Sequence, residues 1–292
     1  MTLRITIDIF SGRPNPVIEL SGNEAKDALS RLRPGRGLEK GEPVLPVQPT
    51  LGYRGLIIEQ VDERDPNLPE VFRLANGDLF GPGLTHKAQD ENFEDFVFSR
   101  TGLIKRLDLS EDLPDNIIKE KERFKELREK HKEKPVKWPK RRVCECAPRY
   151  EPAWWNDAGQ VQFNNNCYNY STNYRSDTYA QPGLAAGAMY TSLTCADVTP
   201  AAVADCLIDS PGADNKCPEE GHLVALVVAP GFDFHWYRKG RNGRWTHKPG
   251  GTPATNLDNS GVLIPDPRTA DRGPYTDFCT FMIVRHGHIK IS

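Results

Sequence analysis

The chain lacks the signatures that usually settle a chemistry at sight. It has no Gly-rich phosphate loop, no dinucleotide fingerprint and no CxxC pair of the zinc type. Nucleotide cleavage, dinucleotide chemistry and a structural zinc centre therefore have no motif behind them. No stretch approaches the ~20 consecutive apolar residues that cross a bilayer as a helix. Neither charge sign is in excess: 38 Lys and Arg stand against 40 Asp and Glu, for a net charge of −2. No global field then draws the chain to nucleic acid or to an anionic membrane. Cysteine is absent from the first 143 residues. All seven lie later, at Cys144, Cys146, Cys167, Cys195, Cys206, Cys217 and Cys279.

What is present reads as one large or two ordinary domains in 292 residues. Gly and Pro, 24 of each, imply many turns and argue against a helical bundle. The N-terminal run Leu3 to Phe10 alternates apolar and polar residues, which predicts a half-buried strand and not the apolar region of a signal peptide. Ordinary secretion is thus unsupported, while leaderless export or a removed leader stays open, and the compartment is not assigned. Cysteine clustering in one half fits an oxidising compartment with three disulfides and one free thiol, for which Cys167 is the candidate. It also fits a metal site or reduced thiols in a cytosolic protein.

The predicted organisation is α+β. A small N-terminal α+β module covers residues 1–114, a charged helix and linker 115–142, and an antiparallel-sheet domain 143–292. In the first module a strand over Leu3 to Phe10 turns at Ser11-Gly12-Arg13-Pro14-Asn15-Pro16 into a return strand, Val17 to Leu20. Ser21, with Glu24 at the capping-box position, predicts a helix over residues 23–33. A loop rich in Gly and Pro follows at 34–49. Residues 54–62 read as a strand, Asn76-Gly77 as a hairpin turn, and Phe93, Phe96 and Val97 as a short helix. Residues 115–134 predict a solvated charged helix with a thin apolar stripe, and Pro135 to Arg142 a linker. In the last domain, residues 184–192 and 200–209 have helical spacing. The run Leu223 to Val228 predicts a fully buried strand. Asn242-Gly243 joins two more strands, and the tail from Phe278 to Ile291 alternates as a closing strand.

Chemistry points to a thiol. Cys167 follows Asn164-Asn165-Asn166, good helix caps, so a helix starting there sets the sulfur at its positive end. A thiol attacks as thiolate and needs a base. The candidates are His222, at the head of the buried strand; His235, in Asp233-Phe234-His235-Trp236-Tyr237-Arg238; and His247, on the other limb of the hairpin, nearly opposite His235. His286 and His288 form a further pair on the tail strand. The Asp-rich loops at Asp258-Asn259 and 266–271 lack the ligand spacing of an EF-hand. No cofactor or metal is called for.

The run Asn166-Cys167-Tyr168-Asn169-Tyr170 with Gln181-Pro182-Gly183 resembles the Asn-Cys-Tyr-x-Tyr-Ala…Gln-Pro-Gly pattern of a family that includes insoluble shell matrix proteins of molluscs. The stretch Asp233 to Arg238, continued by Trp245-Thr246-His247-Lys248-Pro249-Gly250, is similar to that family's second block. The resemblance covers about residues 160–285. Its Cys-then-His order is also similar to papain-like and cell-wall amidase folds, which implies a thiol hydrolase with Cys167, His235 and His247 as catalytic residues. His222 fits the amidase Gly-His-strand pattern. Two functions follow as expectations. One is a cysteine hydrolase of peptide or amide bonds in a peptide, protein or peptidoglycan-like substrate. The other is a non-catalytic, disulfide-stabilised binding or structural protein able to self-assemble. Neither involves nucleic acid or membrane insertion.

Overall fold

A computed structural model describes residues 1–34, 49–81, 84–99, 101–107, 113–130 and 143–292. The expected linker at 135–142, and the loop at 34–49 apart from its two end residues, fall outside them. The chain divides into two compact units. Residues 1–9, 15–47 and 53–128 belong to the first; 10–14, 48–52 and 129–292 belong to the second. Both are built from antiparallel sheets and helices, an α+β architecture.

The first unit carries a six-stranded sheet from β1 (Thr2–Ile7), β2 (Val17–Ser21), β3 (Leu56–Gln60), β4 (Val71–Ala75), β5 (Asp78–Gly81) and β6 (Leu84–Lys87), in the order β2-β1-β3-β4-β5-β6. Period-two alternation decides its faces. Leu3, Ile5 and Ile7 are buried, as are Ile18, Leu20, Leu56, Ile58, Phe72 and Leu74. Each such burial contributes roughly 1.5–3 kcal/mol. On the opposite face Arg4 stands in register with Glu19 and Glu59 and pairs with both. The β4–β5 turn holds Asn76 at φ 53 and Gly77 at φ 76, the paired left-handed conformation of a two-residue hairpin. Helix α1 (Gly22–Leu32) buries Ala25, Ala28, Leu29 and Leu32. Ser21 precedes it but makes no side-chain cap, and Glu24 is drawn instead to Arg106, 2.6 Å away, so the expected capping box does not form. Helix α2 (Phe93–Phe98) buries Phe93 and Val97.

A buried ion cluster also sits in this unit. Asp8 lies 2.7 Å from both Arg54 and Arg73. Burial opposes its charge, but the two guanidiniums win and hold its carboxyl well below the usual range. The charged helix α3 (Leu113–Lys130) is not free of the first unit. Its Ile117 and Phe124 are buried, and Phe124 meets Tyr53 edge-on at 6.0 Å.

The second unit carries a five-stranded sheet from β7 (Ile208–Asp209), β8 (His222–Ala229), β9 (Asp233–Lys239), β10 (Trp245–His247) and β11 (Asp277–Val284), in the order β10-β9-β8-β11-β7. Strand β8 is central and buried along its whole length, as its unbroken apolar run requires. Phe234, Trp236, Val224, Leu226, Val228, Met282 and Val284 form one core cluster with Cys167, Tyr168, Val198 and Ala202. Those last four come from two helices, α5 (Cys167–Thr172) and α6 (Cys195–Ala204). A shorter helix, α4 (Gln160–Asn164), precedes them.

Three expectations fail in this unit. Residues 184–192 form turns instead of a helix, with Gly183 and Gly187 both at positive φ. The next helix begins at Cys195, where the Thr194 side chain accepts the Asp197 N–H, and it runs through Pro200. The tail strand stops at Val284, so His286 and His288 lie in an exposed turn and share no strand face.

Candidate functional site

Cys167 opens α5, as its cap residues dictate. The Asn166 side-chain oxygen accepts N–H bonds from Tyr168 (3.0 Å) and Asn169 (3.1 Å), and the Asn169 oxygen accepts the Asn166 N–H at 3.1 Å. This reciprocal capping box satisfies donors that a helix start leaves orphaned. The sequence after it is poor in helix formers, and tertiary contacts compensate. Tyr168 packs tilted against Trp236 at 5.2 Å and donates to Asp205, while Tyr170 packs on Trp155 and donates to Thr246. Arg238 donates to the Tyr170 carbonyl and to the Asn173 side chain, with its guanidinium 3.9 Å from the Tyr170 ring.

The Cys167 thiol is wholly buried. Its sulfur lies 4.0 Å from the Phe234 carbonyl and near the Trp236 N–H, against β9 on either side of His235. Burial pushes the thiol well above its ordinary range, and the Asp233 charge adds to the shift. That is the opposite of what an activated nucleophile shows.

His235 and His247 are brought together across the β9–β10 hairpin, where His247 stands in register with Tyr237. His235 Nε2 lies 2.9 Å from His247 Nδ1, and His247 Nε2 lies 2.9 Å from the Leu257 carbonyl. Burial lowers the His247 pKa to about 4, so its ring is neutral at pH 7. A neutral His247 donates Nε2–H to Leu257 and accepts at Nδ1, which makes His235 the donor between the two rings. The rings of His235, Tyr237 and Tyr275 crowd the same place, His235 being 4.8 Å from Tyr237 and 5.6 Å from Tyr275.

His222 goes elsewhere. Its Nε2 bonds the Ser171 carbonyl at 2.6 Å, four residues and ~6 Å of helix axis beyond Cys167. Burial lowers its pKa to about 3.

Sequence reasoning missed Lys248, one residue past His247. Its ammonium is fully buried and donates to the carbonyls of Gln162, Asn165 and Gly250 at 2.5–2.6 Å. It thereby ties the end of β10 to the segment just before Cys167. The His-Lys-Pro-Gly run carried that signal, since a lysine among strand and turn residues has to find acceptors when it is buried. In the Asp-rich loop, the Asp258 carboxylate accepts the N–H groups of Ser260, Val262 and Asp271. Among the described residues no group of three His, Cys, Asp or Glu is placed to hold a metal ion.

Two disulfides form, Cys144–Cys217 and Cys195–Cys279. The expectation of three, with Cys167 alone unpaired, is corrected: Cys146 and Cys206 are exposed thiols and Cys167 a buried one.

No family model and no solved structure matches the chain, so the papain-like part of the resemblance stands on sequence pattern alone. Insoluble matrix shell protein 1 of Ruditapes philippinarum is 48% identical over 135 residues, which is 46% of this chain and 87% of that protein. A 135-residue match is shorter than the 222 positions separating Ser11 from Asp233, so it cannot hold both. With nearly the whole of that relative covered at this identity, the chain belongs to the family of insoluble matrix shell protein 1.

Proposed function

We propose that this is a non-catalytic structural protein, stabilised by disulfides, that works by associating with itself or with a matrix. The observation that carries the reading is the kinship with a shell matrix protein. The chemistry of the cysteine half supports it. Two bridges staple that half, as suits an oxidising setting, and the thiol singled out as nucleophile is sealed from solvent with its ionisation disfavoured.

A second reading, a thiol hydrolase of peptide or amide bonds, is favoured by one arrangement. The His235–His247 bond has the form of a base and its orienter, and Cys167 sits at a capped helix start against the strand that carries His235. Alkylation separates the two. With iodoacetamide at neutral pH the native protein is expected to modify Cys146 and Cys206, and Cys167 only after unfolding, as mapped by peptide mass. Preferential modification of native Cys167 would overturn the structural reading in favour of the hydrolase.

A further inference from the structure

Asp233 heads β9 and is completely buried, yet among the described residues no cation hydrogen-bonds to it. Three consecutive backbone N–H groups do. Ser11 donates to its carboxylate at 2.5 Å, Gly12 at 3.2 Å and Arg13 at 3.1 Å, and the Tyr275 hydroxyl donates at 2.5 Å. On the other side of the same short segment, the Gly12 carbonyl accepts from the side-chain amides of Asn166 (2.7 Å) and Gln181 (2.8 Å). Both faces of one peptide unit are therefore read by buried side chains. The Phe234 ring forms the floor: a Cβ on Gly12 would lie 2.4–2.6 Å from three of its carbons, so only glycine fits. Arg13 closes the far end, its guanidinium donating to the Phe232 carbonyl and lying 4.5 Å from the Phe10 ring, which in turn packs edge-on against Phe232.

Asn166, Gln181 and Asp233 all belong to the two sequence blocks that carry the family resemblance, and here they grip main chain. Occupant and site are 222 positions apart. The occupant lies outside any stretch of 135 residues that contains Asp233, so the match to the shell protein cannot include both the socket and what fills it.

We propose that Asp233, Asn166, Gln181 and Phe234 form a peptide socket specific for a glycine-centred segment, filled in the lone chain by its own Ser11-Gly12-Arg13 and filled between chains by the same segment of a second copy. Every contact just described is the same whether the segment comes from its own chain or from another. The balance between the two states then depends on chain-closure entropy and protein concentration, as in the exchange of an identical element between protomers. The proposal stands on the socket's geometry and not on the structural-protein reading.

The test uses the full chain and a fluorescein-labelled heptapeptide copying residues 10–16. Gly12→Val prevents the chain's own segment from seating, so the labelled peptide should bind that variant, read by anisotropy. At ~0.1 mM peptide the wild type should be occupied about tenfold less than the variant, because its tethered segment competes at an effective ~1 mM. A peptide with Val in place of Gly should not bind, and Asp233→Asn in the Gly12→Val background should abolish binding. Absence of binding to a folded Gly12→Val chain, or equal binding to wild type and variant, overturns the socket. Should Gly12→Val not fold, wild-type copies carrying two different tags are refolded together at high concentration. Copurification that the unlabelled peptide suppresses supports exchange, and copies that never copurify overturn it.

Discussion

Acid should unfold the second unit through two histidines that the fold keeps neutral. His222 and His247 titrate near pH 6.5 when unfolded, but at about 3 and about 4 in the folded protein. Above pH 6.5 neither state binds the proton, and the stability is whole. As pH falls below 6.5 the unfolded chain takes up both protons and the folded one does not. Each histidine then costs about 1.4 kcal/mol per pH unit until its folded pKa is reached. Over two pH units, down to pH 4.5, the pair removes roughly 5 kcal/mol, a large fraction of the ~5–15 kcal/mol that a domain has to lose. Asp233 and Asp205 work the other way, because burial raises both their pKa values and they gain protons sooner when folded. The comparison therefore has to isolate the imidazoles. His222→Gln with His247→Gln keeps an amide donor at each site and removes the titration. Urea unfolding followed by tryptophan fluorescence reads this unit, since every tryptophan except Trp138 lies within residues 143–292. Between pH 6.5 and 4.5 the double variant should lose less stability than wild type by ~2.7 kcal/mol per pH unit. Identical pH slopes in the two proteins would refute the reasoning.

Two further outcomes are expected. Asp8→Ala should destabilise the first unit by about 3–5 kcal/mol, because Arg54 would be left buried beside a lost partner; far-UV circular dichroism in urea checks it, and a loss under ~1 kcal/mol would contradict the buried pairing. Cys195→Ala with Cys279→Ala opens a loop of 84 residues, which should lower stability by about 4 kcal/mol. The urea midpoint of the double variant against that of the oxidised parent measures it, and an unchanged midpoint would count against the bridge.

Much of the sheet architecture was legible in the sequence because strand chemistry is local. Alternation gave β1 and β2, an unbroken apolar run gave β8, and two Asn-Gly pairs marked the turns before β5 and β10. Parity along β9 with the hairpin also brought His235 near His247. What parity cannot give is which helix covers which part of the sheet, or how deep a side chain ends up. The depth of Cys167 follows from Tyr168, Phe234 and Trp236 closing around it, and its raised pKa follows from that depth. The false helix at 184–192 shows the limit of spacing arguments: Gly183 takes φ +78, and a Cβ there would strike the Ala188 carbonyl at 2.2 Å, so backbone closure overrode apolar periodicity. His222 was correctly seen at the head of a strand, but its partner Ser171 lies 51 positions away, beyond any local rule. The contacts of Ser11 and Gly12 with Asp233 are more remote still, and nothing in the turn-like composition of residues 11–16 announced them.

The two bridges are interlaced, since Cys195 falls inside the loop closed by Cys144 and Cys217, while Cys279 falls outside it. A protease that clips once anywhere between residues 144 and 279 therefore releases no fragment, because at least one sulfur–sulfur link always spans the cut. Wear of that kind leaves the half-molecule in one covalent piece, and only reduction, or several cuts together, lets parts of it drift away.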